Sequence, residues 1–250
     1  MRTLFHPPAS AIVLLALLGG CATGPDRNPA DPLEPLNRAT FRFNDALDRN
    51  FAQPVARTYN RAVPRPIRTG VDNFFSNLGD VVVMANDFLQ LRLMDGMNDL
   101  MRVAVNSSFG LLGVLDVATP AGIPKRDQDF GLTLGHYGVP SGPYLVLPLF
   151  GPSTFRDAAG FGVDQYAAPQ TYADPAWRNS LWGLQFVSTR ARYLNATNLL
   201  EQAALDKYLF VRDAWLGRRR AQLNQLDGGK EEPLPDYGKE NGGAPSSQDK

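Results

Sequence analysis

Between residues 33 and 51, Leu36, Thr40, Phe43, Leu47 and Phe51 recur at every third or fourth position, while Arg38, Arg42, Asp45 and Arg49 repeat between them. At about 100° per residue the two sets fall on opposite faces, so the spacing predicts a strongly two-faced helix. Such a helix must bury or solvate its faces separately, which ties the chain to a helical assembly. No stretch approaches the roughly 20 uncharged apolar residues that a spanning helix needs. The 250 residues are 44% hydrophobic and carry 25 basic and 25 acidic side chains, enough to build a sizeable core with no charge bias. Neutral balance speaks against nucleic acid as a partner, because phosphate-tracking surfaces show a basic excess.

The longest apolar run near the start, 11–18, ends in Leu18-Gly19-Gly20-Cys21 after an opening that holds Arg2. This has the form of a signal peptide over 1–20. Its ending resembles the lipobox of bacterial lipoproteins, in which the cysteine thiol takes a diacylglycerol and the new terminal amine an acyl chain. Cys21 is also the single cysteine, so an exported chain cannot close an internal disulfide with it. Three acyl chains would anchor far more firmly than one, at about 0.8 kcal/mol per buried methylene. Ala22 follows, where lipoproteins kept in the inner membrane often carry Asp, and on that resemblance the address is the outer membrane.

Residues 21–30 read as a lipidated tether broken by Gly24, Pro25 and Pro29. The folded part spans 31–226, and the polar, Gly- and Pro-rich 227–250 is expected to be a disordered tail. Pro54, Pro64 and Pro66 should kink or split the segment that follows the first helix. Further helices are expected at 67–78, 81–91 and 95–106. In the last, Met94, Met97, Met101 and Val105 make one stripe, either core filler or a pliable surface for acyl chains, with Asp95, Asn98, Asp99 and Arg102 turned away. The nearly uncharged 109–118 is either fully buried or lies in lipid.

Glycines punctuate 120–152, where no helical period survives; a hairpin using Tyr144–Leu147 and an extended covering loop both fit. Ser153 reads as a cap for a short helix to 163, and Asp174 as a cap for another piece before a longer helix at 180–194. A last helix covers 205–226, with Arg218, Arg219 and Arg220 complementing its dipole. The chain is thus mainly α, in one domain with a Gly/Pro-rich insertion.

Arginine outnumbers lysine twenty to five, and seven of the arginines lie between Arg38 and Arg68 against Asp45 and Asp48. Arg grips phosphate with paired N–H groups. A solvated face and contact with anionic lipid both account for the cluster, as codon bias accounts for the excess. Chemistry-bearing motifs are scarce: His136 is the only histidine after His6, and neither a Gly-x-Ser-x-Gly elbow nor a phosphate-binding Gly-Lys-Ser/Thr loop occurs. His136 lies in Leu134-Gly135-His136-Tyr137-Gly138 and reads as a hydrogen-bonding loop residue rather than a base. Asp127 and Asp129 read as a solvated turn. No catalytic or metal-binding set is expected, and no cofactor beyond the diacylglycerol and acyl chain on Cys21.

Asp31-Pro32-Leu33-Glu34-Pro35-Leu36-Asn37-Arg38, Phe43-Asn44, Asn73-Phe74, Asn77-Leu78, Arg102, Asn106, Asp129-Phe130-Gly131, Thr133-Leu134-Gly135, Gly142-Pro143-Tyr144, Gly151-Pro152-Ser153 and Arg156-Asp157 are, in order, similar to the VacJ/MlaA family of outer-membrane lipoproteins. The resemblance implies a ring-like bundle of amphipathic helices around a central channel, lying in the inner leaflet of the outer membrane. It implies removal of phospholipids that stray into the outer leaflet, beside a trimeric porin, with delivery to a soluble periplasmic carrier. Within that frame Arg38, Phe41, Phe43 and Asn44 of the first helix are expected to help set the channel opening, and Gly131, Gly135, Gly138 and Gly142 to form a moving element. The alternatives are a lipid-anchored structural protein without transport and a lipid hydrolase using His136.

Overall fold

A computed structural model describes residues 31–226. The signal peptide expected at 1–20, the tether expected at 21–30 with Cys21, and the tail expected at 227–250 lie outside the described residues. Helix α1 (Glu34–Leu47) passes through a π turn (Asp48–Ala52) into α2 (Gln53–Ala62). The break expected at Pro54 is not there. The Gln53 N–H bonds to Asp48 O five residues back, and this widened turn accommodates a ring that has no N–H to give. Chain direction changes instead at Val63, which is extended as a residue before proline prefers, and Pro64 and Pro66 occupy the start of α3 (Arg65–Leu89), where missing N–H groups cost nothing.

The two helices expected at 67–78 and 81–91 are therefore one. Helix α3 runs uninterrupted through Gly79-Asp80, since Asp80 is buried there and held by Arg102 and Lys125. A three-residue turn leads to α4 (Leu93–Ser108), which packs back on α3. Helix α5 (Phe130–His136) interrupts the region read as having no helical period. Asp129 caps it by accepting from Leu132 N–H at 2.8 Å. Strands β1 (Tyr144–Leu147) and β2 (Gly151–Thr154) pair antiparallel, Tyr144 opposite Thr154, which decides for the hairpin over the covering loop. The cap of α6 (Phe155–Ala167) is Thr154, one residue beyond Ser153, accepting from Asp157 N–H at 3.2 Å. A 3-10 turn (Pro169–Tyr172) precedes α7 (Pro175–Ala203), a single helix rather than two pieces, and α8 (Lys207–Leu226) closes the described chain.

Packing closes on itself. Helix α2 packs on α7, α7 on α3, α3 on α4 and α5, α5 on α6 and α8, α8 on β2, and β1 on α1. The elements thus form a mainly helical ring, as expected. Its wall is sealed beside the hairpin by side chains: Asn37 Nδ2 donates to Tyr144 O at 3.0 Å and Asn37 Oδ1 accepts from Val146 N–H at 2.9 Å. Two turns further along, Asn44 repeats the arrangement with Leu147 O at 2.9 Å and Leu149 N–H at 2.8 Å. These contacts satisfy strand groups that would otherwise be an open edge.

Candidate functional site

The polarity of this ring is the reverse of a soluble protein's. Twenty polar or charged side chains are buried among the described residues against eleven apolar ones, whereas Phe51, Leu91, Met94, Phe109, Leu111 and Leu112 are each about 70% exposed or more. Charged residues are almost never fully buried unless paired, and large exposed apolar surface marks a lipid or partner contact. On α4 the buried positions are Gly96, Asp99, Arg102 and Asn106, and the methionine stripe Met94, Met97 and Met101 faces outward. The core-filler reading of that stripe is therefore wrong, because α4 turns its polar side to the interior. Segment 109–118 resolves in the same direction: Phe109, Leu111, Leu112 and Leu115 point out. Leu91, Leu111, Leu112 and Leu149 even adopt left-handed backbone, with φ between 53° and 69°, a conformation costing roughly 1–2 kcal/mol for a residue with a Cβ.

Ion pairs make the buried charges tolerable. Arg102, 1% exposed, reaches Asp80 at 3.3 Å and Asp116 at 3.3 Å and donates to Ile123 O at 2.7 Å, pinning the connection between α4 and α5. Arg126 extends from the same connection to Asp95 at 2.6 Å, Asp99 at 3.3 Å and Asp87 at 3.4 Å. Burial, then the hydrogen bond and charge of Asp99, push the Asp87 carboxyl up to about 7 against the pull of Arg126 and Arg92. Arg219 joins Asp129 at 2.6 Å and Asp157 at 2.8 Å. Burial works to raise the Asp157 pKa, but Arg219, Arg156 and Thr154 outweigh it and hold the carboxyl below its ordinary value. Asp164 accepts from Phe130 N–H at 2.9 Å and Asn86 Nδ2 at 3.1 Å, yet its burial dominates and lifts it to about 6.

Between these groups lie four neighbouring cavities. One of about 590 Å³ is lined by Gly79, Val83, Arg126, Asp129 and Asp164 among others, and shares Asp72, Ser188 and Arg192 with a neighbour of about 320 Å³. On its other side Asp129 and Asp164 also face a cavity of about 250 Å³, which shares Phe150, Trp215 and Arg218 with a fourth of about 790 Å³. The fourth has apolar walls from Phe41, Tyr193, Leu200 and Val211, with Asp48, Arg190 and Lys207 beside them. Polar-lined cavities thus border an apolar-walled one, a tract of neighbouring spaces suited to an amphiphile.

The expected opening residues divide. Phe41 and Asn44 line the fourth cavity, while Phe43 is 53% exposed on the outside. Arg38 is clamped between Glu34 at 2.7 Å and Asp206 at 2.9 Å and lies over the Tyr208 ring at 4.5 Å. Of the four glycines, Gly131 and Gly135 lie inside α5, where a Cβ would meet Asp157 Oδ1 at 2.5 Å and Leu223 at 2.6 Å. Gly138 sits in an exposed turn and Gly142 in the exposed stretch before β1, with φ of 82° and 68°. His136, half-buried, meets Tyr137 edge-on at 5.2 Å. Asp127 is solvated and pairs with Arg218, but Asp129 is a cap and an ion-pair partner rather than a turn residue. Arg219 likewise serves the interior and not the helix end. Asp80, Asp87 and Asp164 receive no role from the sequence; the spacing of Asp99, Arg102 and Asn106 on one helical face is the signal that points to a polar interior.

A family model described as MlaA lipoprotein matches residues 29–222. The chain is 39% identical over 217 residues to the intermembrane phospholipid transport system lipoprotein MlaA of Escherichia coli (strain K12), covering 84% of this chain and 86% of that one. It is 33% identical over 241 residues to the protein of the same name from Haemophilus influenzae, covering 91% and 94%. A solved structure described as "Structural basis for maintenance of bacterial outer membrane lipid asymmetry" is 36% identical and superposes with a TM-score of 0.69, covering 79% of this chain and all of its own.

Proposed function

The chain belongs to the MlaA lipoprotein family, and from that membership we propose that it withdraws phospholipids mislocalised to the outer leaflet of the outer membrane and so maintains lipid asymmetry. In this reading lipid on Cys21 anchors the ring in the inner leaflet, beside a trimeric porin, and the tract delivers phospholipid to a soluble periplasmic carrier. The single observation that carries the reading is the inverted polarity: apolar side chains outside, paired charges and a graded cavity tract inside. A phospholipid head crossing hydrocarbon loses its water at a cost of several kcal/mol or more, and cavity-lining groups such as Asp164, Arg192 and Gln185 replace part of that hydration. Acyl chains find the walls of the fourth cavity. Helix amphipathicity sets the depth of the ring, because its outer face matches lipid tails and its inner face does not. No bond is made or broken, so the protein is a conduit and not an enzyme.

The test is transfer of labelled phospholipid from membranes holding the lipidated chain to a purified periplasmic carrier. Intact lipid should arrive at the carrier, and His136→Ala should transfer as well as the parent. A purely structural lipoprotein would transfer nothing. A hydrolase would yield a cleaved lipid and lose that product in His136→Ala.

A further inference from the structure

The cavity of about 320 Å³ at the junction of α2, α3 and α7 has a chemistry of its own. Arg65 and Arg68 stand one turn apart at the start of α3, and Ser188, Arg192 and Asn195 follow one face of α7, so three guanidinium groups border one space. Their only acidic neighbour in the lining is Asp72. Two donors there lack acceptors: the Tyr59 hydroxyl and Arg68 Nε are buried with no hydrogen-bond partner. Leaving a buried donor unpaired is unfavourable, and such atoms mark the place of an absent acceptor. The rest of the Arg68 head is held in place, since Nη1 donates to Asn60, whose own Nδ2 donates to Ala191 O at 3.1 Å. Arg65 has no ion pair or hydrogen bond among the described residues, which leaves its fork open.

We infer that this cavity is an anion subsite that takes a phosphate group, with Arg65, Arg68 and Arg192 as the cationic wall and the Tyr59 hydroxyl as a neutral donor. An anion brings several acceptor oxygens to a wall that holds these two unpaired donors, and guanidinium forks match phosphate geometry better than any single-point donor does. Asp72 is the opposing charge. Burial raises its pKa, while Arg192, Ser188 and Arg68 act to lower it, so the carboxylate is the weak point in the wall rather than a partner for the anion. Because Asp72, Ser188 and Arg192 also face the cavity of about 590 Å³, a phosphate held here lies at one end of the tract. That the phosphate belongs to a phospholipid head rests on the transport reading above; the anion chemistry does not.

The full lipidated chain in detergent is titrated calorimetrically with dihexanoyl phosphatidylglycerol, with dihexanoylglycerol, which lacks the phosphate, and with inorganic phosphate. The phosphatidylglycerol should bind at least about tenfold more tightly than dihexanoylglycerol, and Arg68→Gln combined with Arg192→Gln should remove about that factor, the size expected for losing a charge-assisted pair. Asp72→Asn should tighten binding severalfold, a gain that a poorly folded variant cannot imitate, and Tyr59→Phe should weaken it while keeping the ring that packs on Ala56. Inorganic phosphate binding as tightly as the short-chain lipid, with the same arginine dependence, would uphold the anion subsite and assign it to the free ion. Unchanged binding in the double arginine variant, or equal binding of dihexanoylglycerol, overturns the subsite. If the subsite fails while phospholipid still passes to a carrier, the transport reading stands; if it binds phosphate while nothing passes, only the subsite does.

Discussion

Gly79 and Gly131 both lie inside helices, yet a methyl group added to each meets different surroundings. At Gly131 it would sit 2.5 Å from Asp157 Oδ1 and 3.0 Å from Asp157 Cα, in the seam between α5 and α6. Gly131→Ala should therefore cost about 1–3 kcal/mol in a denaturant titration, the usual range for overpacking. At Gly79 nothing lies within 4 Å, so Gly79→Ala should gain up to about 1 kcal/mol through helix propensity alone. The buried carboxylates make a second prediction. Asp87 and Asp164 have folded pKa values of about 7 and about 6, raised from an ordinary 3.8. The folded state thus keeps protons that the unfolded chain has released, so the stability linked to these groups is full below about pH 4 and is lost as pH rises through their folded values. The thermal midpoint in detergent should fall between about pH 5 and about pH 8, and Asp87→Asn should flatten that slope. The groups held low, such as Asp157, act in the opposite sense but only at more acidic pH.

Among the elements, α1 and the hairpin depend on each other through asparagines. Asn37→Ala would strip partners from Asp31, Tyr144 O and Val146 N–H together, each within 3.0 Å of the amide. It should lose about 1–3 kcal/mol for the buried groups left unpaired, and amide exchange over 144–147 should accelerate. Helix existence was legible where the apolar period was sustained, as in α1 and α4. Proline positions misled where the chain used a π turn at 48–52 to pass through Pro54, a device that leaves no mark in residue periodicity. Helix α5 was hidden because Gly131 and Gly135 are there for close packing, whereas glycine in sequence argues for a loop. Asn37 and Asn44 stood in the quoted motifs, but only the structure links them to strand groups more than 100 residues away.

For the whole molecule, periodicity gave two faces to helices such as α1 and α4 and could not say which faced inward. In water the charged face turns out; here Asp99, Arg102 and Asn106 turn in and the methionines turn out, because the surrounding medium is read as lipid and the interior as a path for head groups. That inversion, together with the ring closure and the cavity tract, is the account's central claim, and only the circuit of contacts from α2 through α8 and back to α1 makes it visible. Gly79 offers a direct probe, since it lines the cavity of about 590 Å³ and has open space in front of it. In cells lacking their own copy, outer-leaflet phospholipid is measured after expressing Gly79→Ala or Gly79→Trp at matched membrane levels. The account predicts that Gly79→Ala restores normal asymmetry and that the indole of Gly79→Trp, filling the tract without disturbing the ring, leaves outer-leaflet phospholipid as high as in cells with no protein; full restoration by Gly79→Trp would contradict it.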